Sequence, residues 1–389
     1  MKKFILMFTS LIIIGAGVYF FFFRNKETDI QVAHVSEEVR AQFTDSKEAF
    51  VANESFHVEG VEERKELLDS FIKDQLIDDG AIITNFLPDT SQKEQATGHD
   101  LLSESAGYYL SHLALADTKE HFDSFYKNTK KLFYDGTQFS YRIGEDGKRY
   151  DVNASLDDLR IFRSLIIAGG TFDTDDYDKD LKNFSSKFIE HSTNNGLMVD
   201  FYDEKQDEKA ADISLFYLDF KTLGYIYELN DIKPEALQYL LNIVEGGYLS
   251  DQFPLYQQKY NYEKKEYRNS GTINILESLT TIRYLAELGV AKQESIEFVK
   301  DNVIKGTLFN SYDLKGNPVD TNQSAASYAL AALIGLFVED DELYEQSIQV
   351  LKKFQITDKT SPIYGGIGDP QSLEVYSYNN LTTLIAFDF

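Results

Sequence analysis

Ser103-Glu104-Ser105-Ala106-Gly107-Tyr108-Tyr109-Leu110 continues through Leu113-Ala114-Leu115-Ala116, pauses at Asp117-Thr118, and resumes as an amphipathic stretch over 119–133. Apolar residues recur at helical spacing in both halves, so the segment reads as two helices joined by a tight link. Outward in both directions the same unit returns. The spacing predicts helices over 62–76, 104–116, 119–133, 155–168, 177–191, 213–229, 234–244, 269–288, 292–302, 323–338, 341–354 and 374–387. The links alternate in kind. Short ones include Asp117-Thr118 and Gly289-Val290-Ala291, and long ones cover 134–153, 192–212, 245–268, 303–322 and 355–373. Twelve helices with alternating links predict six αα-hairpins closed into a ring, an all-α (α/α)6 barrel. The long links then gather on one face, where function usually sits. A helical solenoid would carry a fixed-period sequence repeat, and none is visible.

Composition narrows the chemistry. The 389 residues include no cysteine, which excludes disulfides, thiolate metal sites and a cysteine nucleophile. The net charge of -26 argues against nucleic acid as a partner, because phosphate binding needs a basic footprint. Six histidines are scattered without metal-ligand spacing, and neither a nucleophile elbow nor a phosphate-binding loop occurs. No metal and no cofactor are expected.

At the N-terminus, Lys2 and Lys3 precede an apolar run over 4–23, closed by Arg24-Asn25-Lys26. That run is long enough to span a bilayer as a helix. Phe20-Phe21-Phe22-Phe23 offers no small-residue cleavage site, and a chain without cysteine has no lipoprotein anchor. The expected organisation is an uncleaved signal anchor over 1–26, a juxtamembrane linker over 27–57 and a barrel over 58–389. The expected location is the cell membrane, crossed once, with the barrel outside the cell.

Two segments carry candidate chemistry. Glu104 stands at the start of an apolar helix beside Tyr108 and Tyr109, where partial burial would raise the pKa of a carboxyl, as a general acid needs. The plainer alternative is a first-turn acid favoured by the helix dipole. In Asn153-Ala154-Ser155-Leu156-Asp157-Asp158-Leu159-Arg160, Asn153 or Ser155 can cap a helix whose first turn holds Asp157 and Asp158. Neighbouring helical residues point about 100° apart, so one aspartate can face a groove while the other meets solvent or the dipole. The long links interleave tyrosines with carboxylates, amides and glycines, as in Phe139-Ser140-Tyr141-Arg142, Leu255-Tyr256 and Tyr260-Asn261-Tyr262. Aromatic faces with polar neighbours suit the apolar face and hydroxyls of a sugar ring. Tyr108, Tyr141, Arg142, Asp157, Tyr217, Tyr256, Tyr267 and Tyr378 are the substrate-binding candidates.

Together these segments resemble glycoside hydrolase family 8, the inverting β-glycanases with an (α/α)6 barrel. Ser103 to Tyr108 looks like that family's general-acid motif, with one spacing difference at the glycine. Asn153 to Leu159 looks like its Asn-Ala-(Ser/Thr)-Asp-x-Asp-Leu motif, with Leu156 in place of the first aspartate and Asp158 on the second. Tyr376-Ser377-Tyr378-Asn379-Asn380-Leu381 resembles its closing helix. The resemblance implies Glu104 as the acid and Asp158 as a hydrogen-bonding partner of the central sugar. The family's base is an aspartate in Tyr-Asp-Ala-x-Arg at the start of the eighth helix. Here Tyr267-Arg268-Asn269-Ser270-Gly271-Thr272 aligns with it and puts Asn269 on the aspartate. An asparagine takes no proton from water at neutral pH. Glu263 and Glu266 just upstream are the substitute bases, Glu266 first.

The expected function is a membrane-anchored extracellular hydrolase of a β-linked polysaccharide, a β-glucan or an exopolysaccharide, acting with inversion. The alternative is a catalytically weakened glycan-binding accessory protein in a membrane polysaccharide synthase or export complex.

Overall fold

The computed structural model describes residues 46–51, 56–89, 96–116 and 118–389. The apolar run 4–23 lies outside them, and among the described residues no helix is long and apolar enough to cross a membrane. The helices are α1 (Val61–Phe71, continued by a π-helical turn, Ile72–Leu76), α2 (Ser103–Leu115), α3 (Lys119–Phe133), α4 (Ser155–Thr171), α5 (Asp178–Ser192), α6 (Phe220–Leu229), α7 (Pro234–Gly246), α8 (Ile275–Glu287), α9 (Gln293–Lys305), α10 (Ala325–Phe337), α11 (Asp341–Phe354) and α12 (Ser377–Phe387).

Sequence sorts them into two kinds. α10 reads Ala-Ala-Ser-Tyr-Ala-Leu-Ala-Ala-Leu-Ile-Gly-Leu-Phe, carries no charge, and is buried all round. α3 buries the stripe Phe122, Phe125, Tyr126, Thr129 and Phe133 and gives its lysines to solvent, as one-sided packing requires. The even-numbered helices form an inner ring. α2 packs on α4, α4 on α6, α6 on α8, α8 on α10, α10 on α12, and α12 returns to α2. The odd-numbered helices pack outside it. The ring closes, and the architecture is the expected barrel of six hairpins.

The α2–α4 contact is the tightest of these where it matters most for the groove. A Cβ on Gly107 would lie 2.7 Å from the Cβ of Arg160, so glycine lets the two helices approach one turn below Glu104 and Asp157. The inner helices begin on one face, and four of them are held there by a neighbouring link. The Ser103 N–H donates to Tyr141 O at 3.1 Å, Ser155 N–H to Asp200 O at 2.9 Å, Ile275 N–H to Asn310 O at 3.0 Å, and Ser377 N–H to Thr84 O at 2.9 Å. The links thus form a collar over the inner-helix N-termini. Short strands stiffen it: β1 (Leu101–Leu102) pairs with β2 (Arg142–Ile143), and β3 (Asp212–Ser214), β4 (Lys259–Asn261) and β5 (Glu266–Arg268) form a three-stranded sheet with β4 central.

Two inner helices begin later than the spacing predicts. Within 213–229, the first residues join β3, a 3-10 turn follows (Leu215–Tyr217), and α6 starts only after Asp219 caps it by accepting the Thr222 N–H at 3.1 Å. Within 269–288, Thr272–Asn274 is strand β6, paired with β7 (Ser311–Asp313), and Asn274 caps α8 by accepting the Leu276 N–H at 3.0 Å. Cross-strand pairing, absent from local sequence, overrides helical periodicity in both places.

The predicted linker is in part barrel. A 3-10 turn, Glu48–Phe50, closes the end opposite the collar, with Phe50 buried and Lys47 Nζ 2.6 Å from Asp178 Oδ1. A boundary at 58 therefore falls too late.

Candidate active site

The candidate site at the collar is built from first turns. α2 contributes Glu104, and α4 contributes Asp157 and, one turn on, Arg160. Arg160 Nη1 donates to Glu104 Oε2 at 3.0 Å and to Asp157 Oδ1 at 2.6 Å. Ser103 Oγ donates to the other Asp157 oxygen at 3.3 Å. The Glu104 side chain is 25% exposed while those of Asp157 and Arg160 are about 10% exposed, so Glu104 is the member open to a ligand. Burial pushes the Asp157 carboxyl up to about 7; the Arg160 guanidinium pulls against this and the Glu104 charge adds to it.

The aromatic wall stands beside this trio. Arg160 lies over the Tyr108 ring at 4.7 Å and donates to the Tyr108 hydroxyl at 3.2 Å, while Tyr108 meets Tyr378 edge-on at 5.9 Å. Burial pushes the Tyr378 and Tyr217 phenols up. The charge of Asp157, then of Asp200, adds to the effect at Tyr217. Phe201 and Tyr376 are exposed aromatics at the collar, next to Asp200 and at the N-cap of α12.

The collar carries two more carboxylates. Asp200 accepts from Ser214 N at 2.5 Å and Ser214 Oγ at 2.9 Å, with Lys259 Nζ 3.5 Å away. Glu277, in the first turn of α8, accepts from Gln258 Nε2 at 3.1 Å through Oε1. Burial pushes both carboxyls up, and Lys259 draws each back.

Several expected site residues sit elsewhere. Asp158 turns outward toward α5: Asn153 Nδ2 donates to its Oδ2 at 2.6 Å and to Ser192 Oγ at 2.9 Å, and Oδ1 is buried without a hydrogen bond. The 100° step between helical neighbours thus gives the groove Asp157, not Asp158. Asn269 lies in the turn before β6, five residues ahead of the α8 cap, donating to Gln257 Oε1 at 2.7 Å. It does not occupy the start of the eighth helix. Glu266 is exposed at the edge strand β5 and pairs with Arg268 Nε at 3.3 Å. It stands two strands out from Asp212, roughly 10 Å at ordinary strand spacing. Tyr256 is buried against Tyr248 and α8, and the Tyr267 hydroxyl donates to Ile243 O at 2.7 Å, away from the groove. Arg142, in β2, is buried on Asp100 at 2.7 Å and lies over Tyr150. The Tyr141 carbonyl accepts from the Ser103 N–H, and its ring meets Tyr150 edge-on at 5.5 Å.

Arg160, Asp200 and Glu277 were not among the expected site residues. Arg160 had a local signal, three residues after Asp157 on the same helical face. Glu277 needed the late start of α8, and Asp200 has no local signal at all.

No family model matches the sequence. YdaJ of Bacillus subtilis (strain 168), whose name marks it provisionally as a lipoprotein, is 26% identical over 289 residues, 73% of this chain and 78% of its own length. A solved structure described as a novel alpha-amylase from Clostridium perfringens superposes with TM-score 0.78 at 28% identity, over 85% of this chain and 99% of that one. Endoglucanase Cel10, a family 8 glycosyl hydrolase from Klebsiella pneumoniae, superposes with TM-score 0.54 at 13% identity, over 74% of this chain and 99% of that one. The chain has the fold of glycoside hydrolase family 8. In this barrel, the collar over the inner-helix N-termini carries Glu104 from α2, Asp157 and Arg160 from α4 and Glu277 from α8, with Asp200 in the link before β3.

Proposed function

We propose that this chain is a glycoside hydrolase that cuts a polysaccharide in the groove at the collar, with Glu104 as general acid. One observation carries the reading: Glu104 is the partly exposed carboxyl of a buried Asp157–Arg160 constellation, at the N-terminus of an inner helix of a family 8 barrel. In the proposed reaction Glu104 gives its proton to the leaving glycosidic oxygen as the C–O bond breaks. Water adds to the anomeric carbon from the other face, losing its proton to a base. Asp157, held by Arg160, accepts a hydrogen bond from the sugar ahead of bond cleavage.

Glu277 is the proposed base. Asp200 spends both oxygens on Ser214 and Lys259, whereas Glu277 is held through Oε1, which leaves Oε2 for a water. An inverting pair needs its carboxyls roughly 6.5–9.5 Å apart. Glu277→Gln is expected to lower kcat by about 10²–10⁴-fold while glycan affinity persists. Asp200→Asn should act mainly on affinity and stability. The reverse ranking would move the base to Asp200, and NMR of the newly released anomer would test inversion directly.

The linkage is approached through the comparisons. The neighbour at 28% identity is an alpha-amylase and the one at 13% an endoglucanase, so soluble starch, barley β-glucan and a deacetylated amino-sugar polymer belong in one reducing-sugar panel. Turnover of one of them supports the hydrolase; binding without turnover of any would favour the glycan-binding accessory reading.

The same reading keeps the domain outside the cell, tethered by the apolar run over 4–23. Support comes from the length of that run and from the name of YdaJ. Protease added to intact cells should degrade the barrel, and the mature protein should retain its first residues. A protected barrel would overturn the tether.

A further inference from the structure

The inner ring encloses a cavity of about 80 Å³, and every inner helix contributes to its lining. The lining is divided by chemistry. Leu330, Leu333 and Phe337 of α10 and Ile385 of α12 form an apolar side, whereas α4, α6 and α8 present Arg163, Lys221, Arg283 and Glu287. Tyr108 and Arg160 line the cavity toward the collar. Phe50, from the turn that closes the other end, lies under Lys221 and Arg163 at 5.2 and 5.4 Å.

The charged groups around it do not balance. Arg163 is engaged by Asp219 through Nη1 and by Glu287 Oε1 through Nη2, and Lys221 Nζ stands 3.5 Å from that same Glu287 oxygen. Arg283 has less. Its Nη2 is 3.9 Å from Glu287 Oε2, beyond hydrogen-bond reach. Among the described residues none of its N–H groups donates a hydrogen bond, although its side chain is only 11% exposed. It is held by its faces, over the Tyr284 and Phe337 rings at 4.8 and 5.6 Å. Arg160 is taken up by Glu104 and Asp157, so three cations, Arg163, Lys221 and Arg283, are left to two carboxylates, Asp219 and Glu287. Burial pushes the Lys221 ammonium down; Glu287 pulls against this and the Arg163 charge adds to it.

Buried polar groups keep hydrogen-bond partners, and a buried charge is paired. We propose that this cavity is a binding site for one small monovalent anion, of halide or acetate size, held by the Arg283 guanidinium and the Lys221 ammonium. Size and charge select that class. A water needs roughly 10–15 Å³ and a cavity of about 150 Å³ admits benzene. A space of about 80 Å³ therefore takes a halide or an acetate and is too small for a sugar ring or a lipid chain. One negative charge balances three cations against two carboxylates, and a divalent anion would overshoot. The site stands apart from the hydrolase reading, because none of its charged groups acts on the glycan there. Its occupant ties α8 to α6 through cations that otherwise meet only across Glu287.

Thermal unfolding of the full chain reads the occupancy. At fixed ionic strength, sodium gluconate, whose anion is too large for the cavity, is replaced by sodium bromide or sodium acetate. Tm should rise along a saturating curve in at least one of them, because a ligand bound only by the folded state stabilises it by mass action. The salt that acts at lower concentration tells a halide site from a carboxylate site. Arg283→Met keeps an apolar side chain against Tyr284 and Phe337 and supplies the baseline for general salt effects. It should weaken the apparent Kd by about 10–100-fold, the loss expected for one hydrogen bond to a charged group. The same Tm in all three salts would overturn the site.

Diffraction from the unaltered protein needs neither turnover nor a folded variant. Crystals held in bromide should show an anomalous peak inside the ring beside Arg283 and Lys221, or crystals held in acetate should show planar density there. Anions on the outer surface alone, with water in the cavity under both salts, would overturn the proposal even if Tm had risen.

Discussion

Glu104→Gln is expected to lower kcat by roughly 10²–10⁴-fold on any glycan the protein cuts, with little change in binding. An amide cannot give the leaving oxygen a proton, and it keeps the shape and most of the hydrogen bonding of the acid. The site geometry sharpens the test by supplying a neighbouring control. Asp157→Asn should also depress turnover, because that carboxyl shares Arg160 Nη1 with Glu104. Asp158→Asn should leave kcat near the wild-type value, because Asp158 hydrogen-bonds to Asn153 on the side facing α5. Isothermal binding measurements beside initial rates separate the two effects. Equal losses from Asp157→Asn and Asp158→Asn would mean that the first turn of α4 acts through its fold and not through its groove-facing carboxyl.

Most of the barrel was legible because its signals are local. The stripe of α3 and the uncharged run of α10 announce which ring each joins, and α3 and α11 occupy the predicted spans 119–133 and 341–354. The errors fall where partners are distant in sequence. Asp212 and Ser214 enter a strand because Asn261 and Lys259 lie opposite them, and Thr272 does so because Asp313 does. Nothing within a helical turn of those residues carries that information. The late start of α8 then propagated into the site, since an alignment that began the helix at Asn269 could not see Glu277 as its first-turn acid.

The groove was legible to the extent that it is made of helix starts. Glu104 needed only its place at the head of α2, and Tyr108 follows from helical spacing onto the same face, whereas Tyr378 of α12 meets it only through ring closure. Choosing between Asp157 and Asp158 required the rotation of α4 about its axis. That rotation is fixed by Gly107 against Arg160 and by Asn153 against Ser192, contacts between residues tens of positions apart. Tyr256 and Tyr267 show the converse. Their loops belong to the collar, but Tyr256 is buried where Ser278 Oγ holds its backbone N–H, and the half-buried Tyr267 gives its hydroxyl to the Ile243 carbonyl.

Arg163→Met should produce the largest stability loss, on the order of 3–5 kcal/mol, because it strands two buried carboxylates. Arg163 lies on α4, below the groove, and bridges the barrel. Its Nη1 donates to both Asp219 oxygens at 3.1–3.2 Å, and its Nη2 donates to Glu287 Oε1. The Asp219 and Glu287 side chains are only 1% and 2% exposed, so losing the guanidinium leaves their charges out of bulk water. Lys221 at 3.5 Å and Arg283 at 3.9 Å still face Glu287, which limits the loss at that end. Burial alone would push the Glu287 carboxyl up, but the Arg163, Arg283 and Lys221 charges overcome it and hold the group down at about 2. A carboxyl with a depressed folded pKa stabilises the protein above its ordinary value near 4.5 and loses that contribution as pH falls toward 2. The unaltered protein should therefore lose stability steeply across that window in urea unfolding, and Arg163→Met should flatten the slope as well as lower the midpoint. Adding Asp219→Asn and Glu287→Gln to Arg163→Met should restore part of the loss, since the stranded charges are then gone. A loss below about 1 kcal/mol in the single variant would show that Lys221 and Arg283 suffice for both carboxylates.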